Sequence, residues 1–173
     1  MNADRLEALL ALEEEVKAEL ENRAKAERAQ GLHNKWPITD GVVDEPLYLA
    51  TTPKMLWILK EPWDEGGWSL TKDAIPRMLK EGSIGDKGIF ARMAWVTYSV
   101  LNGFQTWQQM PWVSNEPKVG ESLRRIAYIN ISKLPGPKVT QMAKLRACYE
   151  RNKAMLLRQD SATRIGPVES VLS

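Results

Sequence analysis

Two short polar sets, each at the end of an apolar run, hold the side chains in this sequence best suited to chemistry. The first is Lys60-Glu61-Pro62-Trp63-Asp64-Glu65-Gly66-Gly67-Trp68, which follows the apolar residues 55–59. The second is Asn130, Ser132 and Lys133, at the end of the run 126–131. A carboxylate such as Glu61 or Asp64 can position or activate a water. An amide such as Asn130 offers a donor and an acceptor together, the tool needed to read the edge of a nucleobase or another amide-like ring. Gly66 and Gly67 let a backbone approach closely. His33, the only histidine, lies in a loop-rich stretch and reads as a structural or exposed residue rather than an acid–base catalyst.

The elements that must position these groups follow from periodicity. A short continuous apolar run such as 55–59 reads as a strand buried on both faces, and Pro62, lacking an N–H, forces the chain to turn after it. Residues 126–131 read as a second such strand, ended by Leu134-Pro135-Gly136-Pro137. Ligands of open α/β sheets bind outside the carboxyl ends of the strands, where both polar sets would lie. Leu6, Leu9, Leu10, Val16 and Leu20 recur at near-helical spacing and predict a helix over 4–29, ended by Gly31. Its apolar stripe fades after Leu20, so its second half is expected to project from the body, and the helix reads as a packing arm or as a surface for a protein partner or self-association. Between Gly31 and Pro53 the chain reads as loop, with a brief strand or turn at Tyr48 and Leu49. Helices are expected over 71–80, capped by Ser69 or Thr71 and limited by Pro76, over 87–102, and from a cap at Thr140 to Gln159. Trp107, Met110, Pro111 and Trp112 fall in an irregular loop, read as core or lid packing, with nucleobase stacking as the alternative.

The expected fold class is therefore α/β, with a short parallel sheet between layers of helix and a long helix before it. The expected division is an N-terminal amphipathic helix over 1–31, an α/β domain over 32–159 and an irregular tail over 160–173. No apolar run is long enough to span a bilayer, and the acidic start is no secretory signal. Cys148, the single cysteine, leaves no internal disulfide and no four-cysteine site, so a cytoplasmic setting is the default and no metal or other cofactor is expected.

The net charge of +2 is unevenly spread. Residues 1–30 carry eight acidic and five basic side chains, whereas residues 118–158 carry ten basic and two acidic ones. An asymmetry of this kind suggests a polyanionic partner such as DNA, with Arg124, Arg125, Lys133 and Lys138 the residues of interest because they bracket the second strand.

Together the two segments resemble the uracil-DNA glycosylase superfamily. Leu59-Lys60-Glu61-Pro62-Trp63 is similar to that family's water-activating motif at the end of its first strand, with Glu61 on the acidic position before the proline and Trp63 on the aromatic that shapes the base pocket. Ile129-Asn130-Ile131-Ser132-Lys133-Leu134-Pro135-Gly136 is similar to the strand whose asparagine recognises uracil. The likeness spans roughly residues 50–159, and Leu145-Arg146-Ala147-Cys148-Tyr149 and Leu156-Leu157-Arg158-Gln159 are similar to the helix that follows in the iron–sulfur branch. It implies a three-layer α/β/α fold and hydrolysis of the N-glycosidic bond of a flipped uracil or other damaged base in DNA repair. Glu61 or Asp64 would orient water, Asn130 would read the base, Trp63 or Trp68 would stack, and Lys133 and Lys138 would contact phosphate. The chain departs from the family pattern at Lys60, where the motif has glycine. It also lacks the four cysteines of the cluster-bearing branch, and the later strands and histidine loop are not recognisable after Gln159. Little or no cleavage is expected from such a chain. The competing expectations are a non-catalytic nucleic-acid- or partner-binding module and a small-molecule hydrolase that uses the carboxylates.

Overall fold

A computed structural model describes residues 3–62, 65–137 and 139–163 of the chain. Trp63, Asp64 and Lys138, three of the site residues expected from sequence, lie outside the described residues, as does the stretch 164–173.

The long helix α1 (Ala3–Ala29) buries Leu9, Val16, Leu20 and Ala24 along one side. Its end is set by Gly31 at φ 71°, where the Leu32 N–H reaches the Glu27 carbonyl at 3.0 Å and the Gly31 N–H the Arg28 carbonyl at 3.0 Å. Those two bonds use carbonyls the helix itself leaves unpaired. The second half of α1 does not project: Leu20 joins Val16 and Met155 in a buried cluster, and Arg23 donates to Asn152 at 2.7 Å. Alanine and the stems of long polar residues supply contact there that a count of leucines does not see.

The chain then forms β1 (Gly41–Val42) and α2 (Glu45–Ala50). The α2 helix replaces the strand or turn expected at Tyr48 and Leu49. It is started by Asp44, whose side chain accepts from the Leu47 N–H at 3.0 Å, with Pro46 in its first turn where no N–H is needed. Next come β2 (Leu56–Leu59), a π-helical turn over Leu70–Ala74, α3 (Ile75–Glu81) and α4 (Gly88–Leu101). The Ser69 hydroxyl caps the π turn, accepting from the Lys72 N–H at 3.1 Å. The change from π to α winding falls beside Pro76, which has no N–H for a regular ladder. After α5 (Pro117–Glu121) come β3 (Ala127–Asn130) and α6 (Met142–Thr163).

The sheet order is β1-β3-β2. As expected, β2 and β3 are adjacent and parallel, with Leu59 opposite Asn130. The sheet as a whole is mixed rather than parallel, because β1 pairs with β3 antiparallel, Val42 opposite Ala127. The central strand β3 is wholly buried, but β2 is an edge, with Ile58 63% exposed, and is not buried on both faces as its apolar run suggests. Ile126 and Tyr128 join the main core with Ile75, Met93, Trp95 and Leu123. Ala127, pointing the other way, packs with Leu9, Val42 and Tyr48. The helix α6 continues past Gln159 to Thr163, so residues 160–163 are helical and not the start of an irregular tail. Thr163 is buried, and its carbonyl accepts from the Tyr48 hydroxyl at 2.6 Å. Burial pushes that phenol up to about 12. Among the described residues no helix is long and apolar enough to cross a membrane.

Candidate functional site

Three stretches of chain converge at the carboxyl ends of β2 and β3. Residues 36–40 run beside Lys133, whose carbonyl accepts from the Ile38 N–H at 2.8 Å. On its other side the same segment pairs in parallel with 67–70: the Gly67 N–H bonds the Pro37 carbonyl at 3.1 Å, and the Leu70 N–H bonds that of Thr39 at 2.8 Å. The loop after β2 crosses above, tied by the Gly136 N–H to the Pro62 carbonyl at 2.9 Å. Close crossing explains Gly66, where a Cβ would stand 2.1 Å from the Trp36 carbonyl oxygen.

Asn130 and Lys133 are brought to this rim but face inward. Asp40 receives the Lys133 ammonium at 2.7 and 2.8 Å on its two oxygens. It also accepts from the Asn130 backbone at 2.7 Å, from the Asn130 amide at 3.2 Å and from Gln159 at 3.0 Å. Gln159 closes the ring by accepting from Lys133 at 2.8 Å. The Lys133 and Asp40 side chains are 2% and 0% exposed. Burial lowers the lysine pKa and the carboxylate opposes that shift. In this arrangement Lys133 has no surface to offer a phosphate, and the amide group of Asn130 holds the rim together.

Glu61 occupies the space left by a glycine. A Cβ at Gly136 would fall 2.2 Å from the Glu61 Cδ. The Glu61 Oε1 is buried and finds no hydrogen-bond partner among the described residues, as does the indole N–H of Trp68.

Beside the rim, between the polar side of α1 and the 67–73 edge, lies a cleft of about 630 Å³. Trp36, Thr39, Trp68, Ser69, Lys72 and Glu13 line it; among the described residues, Trp68 is the one site residue expected from sequence that does so. Glu13 lies at the centre of its charged groups. It accepts from the Val42 N–H at 2.7 Å, pairs with Lys72 at 3.2 Å and hydrogen-bonds to Glu45, which Lys72 also contacts. Lys72 donates a further bond to the Val42 carbonyl at 2.8 Å. The close fit is made possible by Gly41, at φ 136°, where a Cβ would sit 2.4 Å from the Glu13 carboxylate. Desolvation, only partly offset by Lys72, raises the Glu13 pKa to about 7. A half-protonated carboxyl at neutral pH, facing a cleft, suits proton transfer.

The sequence shows α1 only as a packing arm or partner surface, and nothing in its pattern sets Glu13 apart from the other acids of the helix. The only local signal was Asp40-Gly41, which reads as a turn and in fact supplies both the buried acid and the gap that admits Glu13. His33 is structural: its Nδ1 accepts from the Lys35 N–H at 3.2 Å, so its Nε2 donates to Glu27 at 2.7 Å.

The basic segment meets the acidic one within the molecule. Arg151 pairs with Glu27, and Arg158 with Glu15 and Glu19, joining α6 to α1. Arg124 pairs with Asp44 and Glu121. Much of the asymmetry that suggested a polyanion is thereby matched internally, while Lys144, Arg146 and Lys153 stay exposed. No family model, curated protein or solved structure matches the chain.

Proposed function

We propose that this chain is a uracil-DNA glycosylase-like, three-layer α/β/α domain that hydrolyses an N-glycosidic bond in the cleft under α1. The substrate is a nucleoside or a single unstacked nucleotide rather than a length of duplex. The observation that carries the reading is Glu13: a carboxyl with a pKa near 7, anchored on Val42 and Lys72, at the wall of a cleft of substrate size.

In such a reaction Glu13 donates its proton to the leaving base as the bond from C1′ to nitrogen breaks, its electron pair going to the base. Water then forms the new C1′–oxygen bond and gives up a proton to the glutamate left behind. Glu14, Glu21 and Asp73 join Glu13 and Asp40 in a lining that also holds Lys17, Lys25 and Lys72, and the excess of carboxylates favours positive charge on the sugar in the transition state. Trp36, whose ring lies under the Arg28 guanidinium on one side, and Trp68 line the same cleft and supply aromatic surface for the base. Burial of Lys133 and internal pairing of Arg124, Arg151 and Arg158 speak for a small substrate over a phosphate-rich one. The single free cysteine suits a reducing, cytoplasmic setting.

The test is release of free base from deoxyuridine, uridine and a uracil-containing single strand between pH 5 and 8. Release should decline as pH rises through about 7, because the acid form of Glu13 is consumed. Glu13→Gln should reduce it by about 10²–10⁴-fold. Release that survives Glu13→Gln but is abolished by Glu61→Gln would move the chemistry to the rim. Release from none of the three substrates would remove the hydrolase reading and leave a binding module.

A further inference from the structure

The segment after α4 shows its aromatic rings to solvent. Phe104 is 75% exposed, Trp107 63% and Trp112 53%. The two indoles are braced against a third. Trp107 and Trp112 both pack edge-on against Trp95, at 5.0 Å and 81° and at 5.7 Å and 69°. The Trp95 indole N–H is anchored on the Pro111 carbonyl at 3.0 Å. Gln109 Oε1 accepts from both the backbone N–H and the hydroxyl of Thr106 at 2.9 Å, which locks the turn bearing Trp107. Phe104, at φ 60°, is the one non-glycine with positive φ among the described residues. Left-handed backbone at a bulky residue costs free energy, and here it accompanies a phenyl ring held in water rather than in the core.

The chemistry of the patch narrows its ligand. From residue 93 to residue 115 there is no Asp, Glu, Lys, Arg or His. A groove of about 350 Å³ is lined by Trp95, Trp107, Gln108, Met110, Pro111 and Trp112, none of them charged. Nothing in that lining neutralises phosphate or pairs with an acidic or basic peptide. What it offers is flat apolar surface beside a side-chain amide that both donates and accepts. A sugar ring has the complementary pattern: a face of C–H groups to lie on an indole, and hydroxyls that each donate and accept. A proline-rich peptide, the other ligand of aromatic grooves, lacks backbone donors at its prolines and uses less of what Gln108 provides.

We propose that the Trp107–Trp112 groove is a binding site for an uncharged carbohydrate chain, with room for one or two sugar rings. It is separate from the cleft under α1, with which it shares no lining residue among those described.

The test uses the full chain and three neutral hexasaccharides, of β-1,4-linked glucose, α-1,4-linked glucose and β-1,4-linked N-acetylglucosamine. Binding is followed by tryptophan fluorescence and by calorimetry. At least one should give saturable binding, unaffected by 0.5 M salt on the order expected for uncharged partners. Trp107→Ala and Trp112→Ala should each weaken it by roughly tenfold or more, the size typical of a buried aromatic anchor. Glu13→Gln should leave it unchanged. Far-UV circular dichroism checks that the variants fold, and Trp107→Phe, which keeps a flat ring, should restore part of the affinity. Binding of none of the three overturns the proposal. So does binding of oligothymidine or of a proline-rich decapeptide to this groove in their place, or concentration-dependent self-association abolished by the two alanine variants.

Discussion

Lys133 and Asp40, 93 residues apart in the sequence, form a bidentate ion pair from which solvent is almost wholly excluded. Removing one charge strands the other in a medium that solvates it poorly. Lys133→Met should therefore cost about 3–5 kcal/mol. Joining it to Asp40→Asn should recover a large part of that loss, since the remaining amides can still bond one another. Urea unfolding of the two single variants and the double variant measures the coupling. Additive losses would show that the pair does not act as one unit.

The raised pKa of Glu13 makes stability depend on pH with a definite sign. In the unfolded chain the carboxyl ionises near its ordinary value of 4.5, whereas in the fold it holds its proton to about 7. Between those values the folded state binds more protons than the unfolded state. The favourable contribution is complete below about 4.5 and is lost as pH climbs to about 7, a fall of up to about 3 kcal/mol. Glu13→Gln, neutral throughout, should flatten that part of the profile. Denaturant midpoints at pH 5, 6, 7 and 8 for both proteins check it.

Gly136 and Glu61 share one space. In Gly136→Ala the new methyl, 2.2 Å from the Glu61 Cδ, must push the carboxylate out of its buried position. We expect a stability loss of about 1–2 kcal/mol, typical of local overpacking. Base release in the assay above should change by less than about twofold, because Glu61 is not part of the cleft chemistry. A loss of activity matching that of Glu61→Gln would show that the buried carboxylate itself takes part.

The fold was legible where periodicity is strong. The apolar stripes of α1 and α4 and the runs at 55–59 and 126–131 found their places, and the parallel pairing of β2 with β3 brought Glu61 and Asn130 to one rim. What stayed hidden depends on partners distant in sequence. β1 is two residues long and has no pattern to read; its pairing with β3 made the sheet mixed. Asp40 looks like half of a turn dipeptide, and only the fold reveals that Asn130, Lys133 and Gln159 all point at it. The opposite charges of α1 and α6 were visible as separate features. Read one segment at a time, each implied an outside partner; in the fold they face each other.

The pairing of α6 with α1 also has a consequence for the order in which the molecule is made. Arg158 reaches Glu15 and Glu19 across 143 and 139 residues, and Met155 seals Val16 and Leu20. A ribosome adding roughly 5–20 residues per second leaves α1 in the open for many seconds before α6 emerges. During that interval the helix carries an uncovered apolar stripe and an unmatched acidic one. The acidic side chains that later grip α6 then serve a different end, keeping the nascent chain charged and apart from its neighbours until α6 arrives.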